Sequence, residues 1–276
     1  MKRFYFHNFL FLIVLFFPHQ RLMATGENFI IGARSAGIAH SSVAIMDVWA
    51  VQNNPACMVD INKITAGLYY ENRFLVKELS LKSFVVAVPA NFGVIGASFN
   101  YFGFNLFNES KMGLAYARKF GERFSAGLQL DYLSTRIGEN YGNKSLVTFD
   151  IGVCSKINDK LTIAAHIFNP VNARISKAYD ERVPAIVKIG TAYFISDDLL
   201  ISFEADKNID NPPVIKTGIE YLLMKKVYLR TGISTNPFVN FFGVGFNYKK
   251  FTVDFSSSIH QVLGFSSQLS LIYKFK

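Results

Sequence analysis

The chain has 276 residues and a formal net charge of +9; half of its residues are apolar, and it carries 28 Phe and 13 Tyr but only two Cys. Its positive residues are scattered, with no zinc-finger spacing and no aromatic RNA-binding motif, so nucleic acid is set aside as a partner. Cys57 and Cys154 do not make a disulfide-dense scaffold; they either form one bridge or stay as two lone buried thiols.

Lys2 and Arg3 precede an apolar run over residues 9–17, and a polar stretch then ends at Leu22-Met23-Ala24. A charged start, a short apolar core and a small residue at the cut are the marks of a secretory signal, and they assign residues 1–24 to one. The apolar run is too short for a bilayer, which takes about 20 residues; a buried N-terminal helix is the alternative. Cleavage there removes Lys2, Arg3 and Arg21 and no acid, so the net charge falls from +9 to +6 and the mature chain starts at Thr25. No later stretch approaches about 20 uninterrupted apolar residues, so no helical membrane span is expected.

Residues 25–62 show no clear period of two. Ser41 or Ser42 is placed to cap a short helix carrying Ile45, Met46 and Trp49 at helical spacing, with Asp47 turned away from them. Asn54-Pro55 would stop that helix, because the residue before a proline is pushed out of helical conformation. Gly32 and Gly37 predict a backbone packed closely against something. The segment is too apolar and too weakly charged for a disordered arm.

From residue 63 to residue 276 the sequence repeats one design of about ten residues, apolar on one parity and small or polar on the other, which is the period of a two-faced strand. Phe124, Ala126, Leu128, Leu130 and Tyr132 share a face against Ser125, Gly127, Gln129 and Asp131. Ile95, Ala97, Phe99 and Tyr101 oppose Gly96, Ser98 and Asn100, and Val147, Phe149, Ile151 and Val153 oppose Thr148, Asp150 and Gly152. About fourteen such strands can be counted; the one near residues 79–89 is the least regular, being apolar on both parities. Tight turns at ANFG, FGERF, INDK, ISDD, LMKKV and YKKF alternate with longer linkers such as FNESK, TRIGENYGNKS and FNPVNARISKAYDER.

Sorting short and long connections to opposite ends is expected of a transmembrane antiparallel β-barrel in a bacterial outer membrane, reached after export. Tyr70, Tyr101, Tyr132, Tyr193, Tyr221 and Tyr248 close apolar runs on the apolar parity, as an aromatic girdle against lipid does. The polar parity would then line the lumen. There Lys188 falls near register with Asp206, Glu204 near Lys216, and Glu220 opposite Arg230, as cross-strand charge pairs.

No nucleophile elbow, zinc motif or P-loop occurs, and no metal or cofactor is expected. Asp254, Ser256 and His260 share a face, as a hydrolytic set requires, but such a match comes easily in a serine-rich strand end. An enzyme is not expected.

The stretch GARSAGIAHSSVAIMDVWAVQNNPACM, with Gly32, Ala33, Arg34, Gly37, Ala44, Asp47, Trp49, Asn54, Pro55 and Ala56, resembles the N-terminal signature of the FadL superfamily, above all its PorV/PorQ group. Ala39, His40 and Cys57 depart from the group's small-residue pattern. The resemblance implies a fourteen-stranded outer-membrane barrel over residues 63–276 with residues 25–62 folded into it as a plug. It also implies a non-enzymatic accessory of protein export by type IX secretion, with secretion-system proteins as partners, or of surface organisation. FadL-like passive transport of a small hydrophobic ligand is the alternative.

Overall fold

The computed structural model describes residues 28–138, 142–176, 181–209 and 211–276; the signal expected over residues 1–24 lies outside them. Fourteen strands close into one antiparallel barrel: β1 (Thr65–Asn72), β2 (Ser80–Ala90), β3 (Gly93–Gly103), β4 (Phe107–Phe120), β5 (Phe124–Ile137), β6 (Gly142–Lys156), β7 (Leu161–Phe168), β10 (Ile186–Ser196), β11 (Leu199–Asn208), β12 (Val214–Leu223), β13 (Val227–Ser234), β14 (Val239–Tyr248), β15 (Phe251–His260) and β16 (Gly264–Lys274). A separate two-stranded pair, β8 (Arg174–Ser176) and β9 (Glu181–Arg182), lies in the connection from β7 to β10. The first strand closes on the last, from Thr65 opposite Lys274 to Asn72 opposite Ser267. Closure leaves no open edge, which is what a sheet immersed in hydrocarbon requires, because lipid offers no hydrogen-bond partner to an unpaired backbone group.

The two parities separate as the alternation predicts. Leu128, Leu130 and Tyr132 point outward and are exposed, while Ser125, Gly127, Gln129 and Asp131 point inward and are buried. Across the barrel the exposed large side chains are Leu, Ile, Val, Phe and Tyr, and the buried inward ones include Glu204, Lys216, Glu220, Arg230 and Asp254. A closed sheet that is apolar outside and charged inside is the inverse of a water-facing barrel; this is a transmembrane β-barrel.

All six tight turns fall where expected and lie at one end; the other end carries the long connection from β7 to β10 but also short ones, over residues 104–106 and 261–263. The linkers FNESK and TRIGENYGNKS differ from expectation. Phe107–Phe120 already includes FNESK, and β5 and β6 pair from Phe124 opposite Ser155 to Ile137 opposite Gly142. Ser134, Thr135, Asn143, Lys144 and Ser145 are polar, so their strands lack the apolar parity of the membrane band. Cross-strand bonding still carries them beyond it, with Ser145 Oγ 3.3 Å from Ser134 Oγ.

Residues 28–62 lie inside the closed sheet. They comprise α1 (Ala33–Gly37), turns, α2 (Ala50–Asn53) and a 3-10 helix over Pro55–Asp60. Phe29 packs on Phe102 at the long-connection end, with ring centroids 5.2 Å apart and the Arg73 guanidinium over both rings. Asp60 lies at the short-turn end, 2.7 Å from Lys119 and bonded to Lys156. The segment thus spans the lumen before β1 begins.

Candidate functional site

The inner wall is shaped to let this segment approach. Gly127, Gly152, Gly96 and Gly218 point inward, and each leaves room that a side chain would fill. A Cβ on Gly127 would stand 2.5 Å from the Ala56 backbone nitrogen, and one on Gly152 2.0 Å from Asn54 Oδ1. On Gly96 it would meet Val51 at 2.8 Å, and on Gly218 Ile38 at 2.4 Å. The alternation places Gly96, Gly127 and Gly152 on the polar parity without a role; the role of all four is to admit backbone and apolar side chains where a charged lumen would otherwise keep them out.

The segment's own residues lock its irregular path. Gly32, at φ +99°, takes a conformation that disfavours a side chain, and its missing Cβ is where the Trp49 indole sits, 2.5 Å away at Cγ. Trp49 is buried, with its ring edge toward Tyr69 at 6.1 Å. Gly37 packs against Arg230 and Gly243, and the Ala33 carbonyl accepts a bond from Ser256 Oγ at 2.8 Å. Asn54, extended at φ −165°, ends α2; its Oδ1 accepts from Ala56 N at 3.2 Å and its Nδ2 donates to the Val43 carbonyl at 2.8 Å. Pro55 opens the 3-10 helix, where its missing N–H costs nothing.

The helix expected after Ser41 or Ser42 does not form. Helices flank that stretch instead, and the Ser42 and Val43 N–H groups both donate to Glu204 Oε2 of the wall, at 2.8 and 2.7 Å. A wall carboxylate takes the donors that a first helical turn would have left free. Asp47 likewise accepts from Trp49 N at 2.9 Å and pairs with Arg34 at 3.2 Å.

Three expected cross-strand pairs fall in register: Lys188 opposite Asp206, Glu204 opposite Lys216, and Glu220 opposite Arg230. Lys216 bonds both Glu204, at 3.1 Å, and Asp206, and buried Lys188 also faces His166 across β7. Glu220 joins the wall to the segment. It accepts from Arg230 Nε at 2.6 Å and from Arg34 at 2.9 and 2.6 Å, while Arg230 reaches Asp254 at 2.7 Å. A second inner cluster, absent from the sequence reading, holds Lys111 2.9 Å from Asp131 and 3.4 Å from Asp150, with His166 beside Asp150. Asn53 and Gln52 were also missed: Asn53 bonds both the N–H and the carbonyl of Ile31, and Gln52 bonds the Phe29 carbonyl and Asn100. Their signal was three consecutive amide residues, each a donor and an acceptor, before a proline.

Asp254, Ser256 and His260 do not converge. Ser256 is bonded to Ala33, Asp254 to Arg230, and the His260 ring accepts the N–H groups of Val262 and Leu263, both at 3.1 Å.

At the short-turn end a cavity of about 390 Å³ remains between segment and wall. Met46, Val48, Leu200, Leu222 and Ile272 give it an apolar side, and Arg34, Asp47, Glu220, Arg230 and Asp254 a charged one. That volume lies within the roughly 300–1,000 Å³ of small-molecule sites. Asp60 stands at its rim. Partial burial pushes its carboxyl up, but the bonds from Lys119 and Lys156 prevail and hold it below the usual carboxylate range. A lowered folded-state pKa gives stability that is complete above the unfolded value and is lost as pH falls through the folded one. Asp60→Asn is therefore expected to cost at most about 1 kcal/mol at neutral pH, since both lysines are partly exposed, and nothing at strongly acid pH. Thermal unfolding of the two proteins at both pH values checks this.

No family model matches the chain, and no curated protein matches it. Among solved structures it is similar to a Pseudomonas aeruginosa FadL homologue, with TM-score 0.67 and 13% identity over 91% of this chain and 100% of that one. It is also similar to the Ralstonia pickettii toluene transporter TbuX, at 0.66 and 11% over 91% and 100%. The P. putida toluene transporter TodX gives 0.66 and 11% over 91% and 99%. At such identities what is shared is the fold, a closed transmembrane β-barrel.

Proposed function

We propose that this chain is a bacterial outer-membrane barrel that passes small hydrophobic compounds, with residues 25–62 as a plug that denies water and ions an open lumen. The observation that carries this reading is the cavity between segment and wall. It has the size of a small ligand, and its apolar side, formed by Met46, Val48, Leu200, Leu222 and Ile272, offers a surface on which such a compound can shed water. Arg34, Asp47, Glu220, Arg230 and Asp254 on its charged side are engaged in ion pairs with one another, while Asp197, Asp198 and Lys274 also line it. TbuX and TodX are toluene transporters by name, which makes a monoaromatic hydrocarbon the first compound to try.

Expression in cells whose lipopolysaccharide outer leaflet slows hydrocarbon entry, and whose own hydrophobic channel has been removed, tests it. Uptake of labelled toluene is expected to rise several-fold while entry of a large hydrophilic antibiotic is unchanged. Unchanged toluene uptake at confirmed outer-membrane expression would sink the reading.

A second reading, an accessory role in type IX secretion or surface organisation, draws on the N-terminal signature and on the short outward connections, such as those over residues 104–106 and 261–263, which make a poor capture groove. Co-purification from native membranes separates the two: a stoichiometric protein partner with no bound apolar molecule favours the accessory role. The similar solved structures bring the transport reading forward.

A further inference from the structure

Cys57 and Cys154 meet at the boundary between segment and wall. Cys57 lies in the 3-10 helix Pro55–Asp60 and Cys154 on the inward parity of β6, and both are buried. The backbone on either side is fixed by one hydroxyl: Ser125 Oγ donates to the Ala56 carbonyl at 2.9 Å and lies 3.4 Å from the Cys154 carbonyl. Ser125 is also the cross-strand partner of Cys154. Gly127 and Gly152, two residues away on each strand, have no side chain to hold Ala56 and Asn54 off the wall. Cys57 and Cys154 belong to one buried cluster, and Cys57 Sγ is 3.3 Å from the Val43 carbonyl. No group of three metal-ligating side chains occurs among the described residues, so the pair lacks the further ligands that a thiolate metal site needs.

A buried thiol pair of this kind is inert in a reducing compartment and a substrate for oxidation in an exported chain. We propose that Cys57 and Cys154 form a disulfide in the exported protein, stapling the N-terminal segment to β6. The proposal rests on the export reading. Both S–H bonds break and one S–S bond forms. The electron pair and the two protons pass to the disulfide of an exported thiol–disulfide exchange oxidant, whose S–S bond breaks and which leaves as a dithiol. Because both sulfurs are enclosed once the sheet closes, the exchange takes place before closure: one cysteine forms a mixed disulfide with the oxidant, and the other displaces it.

The staple limits what the plug can do. The turn over Pro55–Asp60 cannot leave β6, so any opening is confined to the earlier residues, of which Arg34, Met46, Asp47 and Val48 line the cavity. Cargo then moves beside a tethered plug and never through an emptied barrel.

The test uses the full chain, exported with its own signal in a host that has an outer membrane. After fractionation, protein from each fraction is denatured with a thiol-alkylating maleimide in the absence of reductant and analysed by intact mass and peptide mapping. Expected is an outer-membrane protein with no label, a mass lower by two hydrogens, and a linked peptide pair containing Cys57 and Cys154; prior reduction adds two labels. Cys57→Ser and Cys154→Ser are each expected to expose one label without reductant. Two labels without reductant on protein that is in the outer membrane and shifts on gels with boiling would overturn the disulfide alone. Protein absent from that fraction would overturn the export reading and the disulfide with it.

Discussion

Gly127→Val is expected to push the N-terminal segment off the wall. The position is crowded by backbone on the segment side, with Ala56 N 2.5 Å and the Pro55 carbonyl carbon 2.6 Å from where a Cβ would stand. Neither atom belongs to a flexible side chain that can swing away. Overpacking a well-filled interior costs about 1–3 kcal/mol, and a backbone contact puts this variant at the upper end. The barrel itself should survive, because Gly127 pairs with Gly152 and Ala117 through backbone bonds that a larger residue keeps. The expected outcome is a barrel that still migrates anomalously before boiling but unfolds at lower temperature, in cells that have become sensitive to hydrophilic antibiotics. Ala126→Val, whose side chain faces lipid, is the control and should change neither. If Gly127→Val matches the parent protein in both measurements, the segment does not pack on β5 as described.

Glu220→Ala should cost more. Glu220 is buried and accepts from two arginines, one on the wall and one on the segment. A buried ion pair is weak evidence of stability in itself, since desolvation offsets much of the attraction, but removing one partner leaves the others uncompensated. The loss is about 3–5 kcal/mol for a broken buried pair. Arg34 and Arg230 would be left to share Asp47 and Asp254. Glu220→Gln, which keeps an oxygen acceptor of the same shape, should fall between the two. The measurement is the temperature at which the folded form disappears on an unboiled gel; identical temperatures for Glu220→Ala and the parent would contradict the network's role.

The barrel was legible because its signal is local. Every second residue of a strand meets the same environment, so Phe124 to Tyr132 declares lipid on one side and lumen on the other without reference to any other strand. The pair Glu220 with Arg230 follows from turn position alone, since the short LMKKV turn fixes register. β2 resisted for a reason now visible: Leu81, Val85 and Ala87 point inward, where Trp49 and Val51 make the lumen locally apolar. The segment was legible as an exception and not as a shape. Its turns are set by partners far away in sequence, Glu204 for Ser42 and Val43, and Glu220 for Arg34, and helical spacing among Ile45, Met46 and Trp49 could not reveal them. The inward glycines were equally mute, because a glycine on the polar parity looks the same whether it faces water or a neighbouring backbone.

The central claim is that the segment closes the lumen to water and ions, and the ion conductance of the purified full-length barrel in a planar bilayer tests it most directly. A fourteen-strand barrel with an empty lumen would give a steady ohmic current. The account predicts that insertion of the unmodified protein produces no such current, whereas stable, ohmic, fully open conductance would contradict it.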